Sequence, residues 1–377
     1  MPGVQDALNH IDTWVQEGVV KGAAAAVWLD GGVIATHQAG MAADARPVDE
    51  DTLFALASVS KPITAAAIMQ AVDMGALALD VPVGLYVPDA GEAAEPLDPD
   101  LLPPVEALRD RVTLRHLLSH TSGFPENVGV KRVRMRDQPT LDQIVDVMCG
   151  VPLQSAPGEV LRYSNVGIGI AGRALEEVTG ETAHRQIRAA ILDPLGLESI
   201  VLTPTDVLAD RIAWVDDAAA AGTPVESYNS AYWRSLGITW GGYYATPQDA
   251  ALFAASFLPG AASPLSDDIR AEMIMDQTGG VPGGVGSAGI HWNRGAWGLG
   301  WEVAGDKKHH WTGTKRSPRT FCHWGQSGTL VWADPERSLV LAVFANRAVH
   351  TPWPLRPPRW ADMSDALVDA VDSARPR

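Results

Sequence analysis

The order of hydrophobic periodicities constrains this chain of 377 residues more than any single motif does: strand patterns at both ends, helix patterns between them. Val4, Leu8, Ile11, Trp14 and Val15 give residues 4–19 one apolar helical face. Ala23 to His37 reads as a hairpin, two apolar runs joined by Asp30-Gly31-Gly32. Helical spacing follows over Ile63–Met74, stopping at Gly75, and over Leu114–Leu118, Leu141–Met148, Gly167–Val178 and Thr182–Ile191. Proline-rich loops separate these, and Pro82 to Pro104 reads as solvated surface. Strand patterns return at Trp297–Val303, Cys322–Gly325, Thr329–Asp334 and Ser338–Ala345, before a closing helix over Met363–Val371. Such an order predicts an α+β protein: an antiparallel sheet built from residues 1–57 and 290–377, helices packed on it, and a mainly helical region, 58–289, inserted between. The site is expected between the two parts. The glycine-rich stretch Gly279 to Gly289 lacks the lysine and Ser/Thr of a phosphate loop and reads as a mobile surface loop.

A hydrophobic content of 46% with 20% charged residues is that of a globular protein. The net charge of −16 argues against nucleic acid or an anionic membrane as partner. No stretch reaches the roughly 20 apolar residues of a membrane helix, and no signal peptide is visible, so a cytoplasmic setting is expected. Two distant cysteines, Cys149 and Cys322, fit a reduced compartment at least as well as one disulfide. Cys322 reads as a small buried strand residue.

Ser58 and Lys61 lie three apart in Ala57-Ser58-Val59-Ser60-Lys61-Pro62, one turn apart on one face if a helix opens there. A serine hydroxyl needs a nearby base, and a lysine amine serves as one only when desolvation or a neighbouring cation lowers its pKa. Alone, the pair reads rather as a helix start with Ser58 as N-cap and Lys61 in solvent. Two elements follow in order: Tyr163-Ser164-Asn165 at a turn-rich helix entry, and His323-Trp324-Gly325-Gln326 at a strand-like run. A tyrosine can shuttle the serine proton, an asparagine amide can hold the lysine or a substrate carbonyl, and a strand glycine permits close backbone approach.

With these three elements the chain resembles the family of serine β-lactamases, penicillin-binding proteins and related esterases, most closely its class C-like branch, with Ser-x-x-Lys, Tyr-x-Asn and Lys/His-x-Gly. Supporting segments are His116 to Phe124 and Trp240 to Asp249, and the likeness runs from about residue 8 to residue 370. The resemblance implies the β-lactamase/transpeptidase-like fold. It implies Ser58 as acylated nucleophile, and Lys61 and Tyr163 accepting and returning its proton, with the base between them open. Asn165 would orient Lys61 or substrate, His323 would take the third-motif position, and the N–H groups of Ser58 and Gln326 would form the oxyanion hole. Trp324 and Gly325 are expected beside the substrate.

His323 replaces the lysine usual in enzymes that take penicillin-like acids or D-Ala-D-Ala termini, so those substrates are disfavoured. Arg347 is read as solvent-exposed rather than as a substitute charge. The expected activity is hydrolysis of a carboxylic ester or small amide; the alternative is an acyltransferase passing the group to an amine or alcohol. A β-lactamase, a D-Ala-D-Ala peptidase and a non-catalytic binding protein rank below both. No cofactor is implied and no metal: His309-His310 and His116 with His120 lack cysteine or carboxylate ligands at a recognised spacing.

Overall fold

Strands from the two ends of the chain meet in one antiparallel sheet of seven. The computed structural model describes residues 2–91, 104–129, 131–308, 310–350 and 353–375. The strands are β1 (Gly22–Leu29), β2 (Gly32–Ala43), β3 (Arg46–Pro47), β4 (Glu302–Val303), β5 (Phe321–Gly325), β6 (Thr329–Asp334) and β7 (Leu339–Ala345), in the order β4-β5-β6-β7-β1-β2-β3. The pairing of β1 with β7, with Ala26 opposite Ala342 and Val27 opposite Leu341, joins the ends.

Both strands are apolar at every position because both faces of the sheet are covered. Ala24, Ala26, Val340, Ala342 and Phe344 face one core; Ala25, Val27, Leu341 and Val343 face the other. A one-residue slip would exchange these sets, so burial fixes the register. The second core is closed by helices α1 (Pro2–Leu8), α2 (His10–Gln16) and α6 (Arg359–Ala374), through Leu8, Ile11, Trp14, Trp360, Met363 and Leu367. The first is closed by α3 (Ser60–Asp73), α4 (Asn165–Thr179) and α5 (Pro247–Ala255). As the pattern predicts, α3 ends just before Gly75, whose φ of +75° suits glycine.

Several expectations need correction. The N-terminal helix breaks at Asn9 into two. Of Trp297–Val303 only Glu302–Val303 is strand: at Gly300, φ +89°, a Cβ would lie 2.4 Å from that of Ala65, so the chain bends tightly over α3. The inserted region carries strands of its own: Ile200–Val201 pairs with Tyr244–Ala245, which also pairs with Phe54–Ala55 from just before that region. Residues 279–289 are not a free loop, because Gly283–Val285 pairs with both Leu161–Arg162 and Ile290–Trp292. Within Pro82 to Pro104, Val83, Val87 and Ala90 are buried, and residues 92–103 lie outside the described residues.

Candidate active site

Ser58 sits in a 3-10 turn, Ala57–Val59, that leads directly into α3. Ala57 has φ +45°, a left-handed conformation that costs a non-glycine residue about 1 kcal/mol or more. The surrounding hydrogen bonds over-determine it. Leu56 N–H donates to the Tyr243 carbonyl at 2.8 Å, Tyr243 N–H to Ser60 Oγ at 3.2 Å, and Thr64 Oγ1 to the Thr239 carbonyl at 2.7 Å. Segment 239–243 is thereby laced to the start of α3.

The hairpin of β5 and β6 grips the same turn. Ser327 Oγ donates to the Ala55 carbonyl, and Thr329 Oγ1 to the Leu56 carbonyl at 3.0 Å. Gly325 makes this approach possible: a Cβ there would lie 2.1 Å from the Leu56 oxygen. The glycine of the third motif is therefore a packing requirement. Beyond it, the Gln326 N–H has no partner among the described residues and lies beside the cleft that holds Ser58.

Lys61 is fully buried, with Nζ 2.9 Å from Ser58 Oγ and donating to the Trp240 carbonyl at 2.8 Å. Burial pushes its pKa well below the ordinary lysine value, and Glu126, acting through space, only partly offsets that. Tyr163 behaves oppositely. Burial raises its phenol well above the usual tyrosine value, and the approach of Ser58 offsets this only in part. Its hydroxyl makes no hydrogen bond of good geometry to any described side chain. The Lys61 ammonium position is 4.9 Å from the Tyr163 ring centre. The two groups are driven apart: lysine toward the free amine, tyrosine toward the neutral phenol.

Tyr163 is held by the glycine stretch that the sequence leaves as a loop. Its N–H donates to the Gly284 carbonyl at 3.1 Å, and at Gly283 a Cβ would lie 1.8 Å from the Leu161 oxygen. Ser164 caps α4, accepting the Gly167 N–H at 2.9 Å, and so places Asn165 at the helix start. Asn165 faces the cleft but donates to Asn127 at 2.7 Å; the two bonds of Lys61 go to Ser58 and Trp240. No hydrogen bond joins Asn165 to Lys61 among the described residues.

His323 is buried, and burial drives its pKa down to about 3, with Lys61 adding to the fall. Its Nδ1 is 2.9 Å from the Trp324 carbonyl, which can only accept, so Nδ1 carries the proton. Nε2 is then a bare lone pair, buried without a protein partner. A neutral acceptor thus stands at the third-motif position. Trp324, the next residue, is half-buried at the cleft edge.

Two lining groups, Glu126 and Trp297, and the buried His120 that packs on Tyr163 carry no recognisable spacing. Glu126 accepts from the N–H and hydroxyl of Ser287, the former at 2.9 Å, clasping the two sides of the cleft. Trp297 and His120 complete a cluster of rings around Tyr163, His120 with its ring centre 4.4 Å away. His120 lies in the supporting segment His116 to Phe124, which is the signal that could have found it. Its Nδ1 accepts the Ser164 N–H at 3.1 Å, leaving Nε2–H buried and unpartnered by protein. Trp240, by contrast, acts through a backbone carbonyl.

Arg347 lies outside the cleft, paired with Asp217 at 2.7 Å. Both cysteines are buried and free. His116 caps its helix with Thr113. His310 does meet a carboxylate and a thiol in space, Glu302 and Cys322, which spacing alone could not show. Lys307 Nζ, 2.7 Å from Glu302 Oε1, takes the oxygen a metal would need, so the group fits an ion pair better than a cation site. His309 lies outside the described residues.

Sheet, helices and a serine–lysine–tyrosine cleft between them define the β-lactamase/transpeptidase fold. The Beta-lactamase family model matches residues 9–362, and the chain belongs to that family. Esterase EstB of Burkholderia gladioli is 32% identical over 204 residues, 49% of this chain and 48% of that protein. Penicillin-binding protein 4 of Amycolatopsis lactamdurans is 32% identical over 211 residues, 54% of this chain and 51% of that one. The chain spans about half the length of the curated relatives it matches. Among solved structures, a family VIII carboxylesterase shares the fold with a TM-score of 0.78 at 19% identity, covering 97% of this chain and 98% of that one. No helix among the described residues is long and apolar enough to cross a membrane.

Proposed function

We propose that the chain hydrolyses carboxylic esters through an acyl-enzyme on Ser58. The observation that carries this reading is the 2.9 Å approach of Ser58 Oγ to an amine whose pKa burial lowers well below the ordinary lysine value. Lys61 takes the Ser58 proton as Oγ bonds to the acyl carbon, and the carbonyl π pair moves onto oxygen. The N–H groups of Ser58 and Gln326 receive that oxyanion; one such donor is worth about 10²–10³ in rate. When the tetrahedral intermediate collapses, the alcohol oxygen leaves with the Tyr163 proton, and the Lys61 ammonium reprotonates Tyr163. Water then attacks the acyl carbon, losing a proton by the same route, and Ser58 regains its hydroxyl. Tyr163 suits the relay because a phenol held neutral can donate at once.

The neutral lone pair of His323 favours uncharged esters over carboxylate-bearing substrates. It also favours a second reading, acyl transfer, since it can accept a hydrogen bond from an alcohol or amine that replaces water. Treatment with a serine-reactive phosphonate, followed by peptide mass mapping, tests the common step. One adduct on Ser58, absent from Ser58→Ala, is expected; an undiminished adduct in that variant overturns the mechanism.

A further inference from the structure

Ser58 stands where two small cavities meet, and one of them continues into a third that is far larger. On one side is a pocket of about 160 Å³ lined by Tyr228, Trp233, Ile238, Trp240 and Gly241. On the other is the cleft of about 210 Å³ that contains Tyr163, Trp297 and His323. Ser287, Ala288, Trp324 and Val349 line that cleft and also a chamber of about 1130 Å³ beyond it. The cleft alone holds little more than the reacting group, so a drug-sized ligand must extend from it.

The proton route orients the substrate. An ester's alcohol oxygen must leave toward Tyr163, a residue that lines the cleft and not the smaller pocket. The alcohol portion therefore points through the cleft to the chamber, and the acyl group occupies the pocket of 160 Å³. The chamber wall is aromatic: the rings of Trp292 and Trp311 lie 6.0 Å apart, and those of Trp311 and Trp324 5.8 Å, both edge to face. Trp292 and Trp324 are only half-buried, so part of each indole is open to a ligand. Ile290 and Leu355 add apolar surface.

We propose that this chamber binds the bulky aromatic alcohol portion of an ester whose acyl group is small, as leaving group in hydrolysis and as acceptor in transfer. The inference rests on Ser58 acting through an acyl-enzyme.

The test uses alkyl esters of similar leaving-group acidity. Across ethyl, 2-phenylethyl and 2-(2-naphthyl)ethyl acetate, kcat/KM should rise roughly 10–100-fold, as each ring adds apolar contact. Across ethyl acetate, butanoate and octanoate it should fall. Ala361→Trp, filling the chamber from α6, should lower the ratio of kcat/KM for the naphthyl ester over ethyl acetate about 10-fold. A flat alcohol series, or a rise along the acyl series, overturns the proposal. If Ser58 takes the phosphonate adduct while the alcohol series is flat, the chamber assignment fails alone; if it takes none, the underlying reading fails. Calorimetric binding of 2-(2-naphthyl)ethanol keeps the chamber testable even without turnover. Binding weakened about 10-fold in Ala361→Trp supports it, and no binding to the unsubstituted protein overturns it.

Discussion

Two lysines, Lys61 and Lys307, are withdrawn from solvent within one molecule, and their surroundings give them opposite tasks. Lys307 bonds to the Glu302 carboxylate at 2.7 Å and to the Ala296 carbonyl at 2.7 Å, with the Trp292 ring centre 4.0 Å away. Burial alone would raise the Glu302 pKa, but Lys307 and His310 outweigh it and hold the carboxyl below its usual range. Among the described residues Lys61 has no carboxylate in contact, only a serine oxygen and a backbone carbonyl. Desolvation is offset only in part, by Glu126 acting through space, and the ammonium form is the one disfavoured. A buried lysine becomes a base or a structural cation according to whether a carboxylate meets it.

The largest expected effect comes from removing Lys61. Lys61→Met should lower kcat/KM for an activated ester by about 10²–10⁴, the usual worth of a positioned general base. Thermal stability should hold or rise, because a costly buried amine is replaced by an apolar chain of similar length. A marked loss of Tm would show that Lys61 has a structural share the comparison denies it. In the unsubstituted enzyme kcat/KM should climb as pH rises through the Lys61 pKa, and that acid limb should lie well below the ordinary lysine range. A limb near the free-lysine value would remove Lys61 from the role of base.

The compensated lysine should fail in the other direction. Glu302→Gln leaves the Lys307 ammonium buried without its counter-charge, and should cost about 3–5 kcal/mol of stability by denaturant unfolding. Glu302→Gln combined with Lys307→Met should recover most of that. Recovery distinguishes loss of the pair from loss of packing. A single variant as stable as the parent would mean that the carboxylate is not what holds Lys307.

How much of this was legible beforehand depended on whether the chemistry resided in side chains or in backbone. The Ser58–Lys61 contact follows from a spacing of three at a helix start, and strand periodicity placed His323 in the sheet. Trp240 could not be found that way, because it holds Lys61 by a carbonyl every residue type possesses, 179 positions along the chain. The Gly283–Gly284 pairing was missed for a related reason: it is short, parallel and glycine-rich, with no side-chain alternation to betray it. Lys307 and Glu302 gave no sign of pairing because at five residues apart they share neither a helix face nor a strand register. Their meeting requires the tight turn beyond β4.

The smallest effect separates buried imidazoles from the two lysines. His120, His310 and His323 are all buried and all depressed: His120 well below the ordinary value, His310 to about 4, His323 to about 3. Burial is the main cause in each, and for His310 the attraction of Glu302 does not overcome it. Because the folded values lie below the unfolded one, the unfolded chain binds more protons in acid. The stability these groups contribute is complete above about pH 6.5 and is lost as pH falls toward 4, at up to about 1.4 kcal/mol per pH unit for each histidine. Denaturant unfolding at pH 7, 6 and 5 should therefore show a steady decline before ordinary carboxylates titrate. His310→Gln should flatten the slope by about one proton. A slope as steep as the parent's in His310→Gln would mean that this imidazole gains no proton on unfolding, and that Glu302 holds it charged in the folded protein.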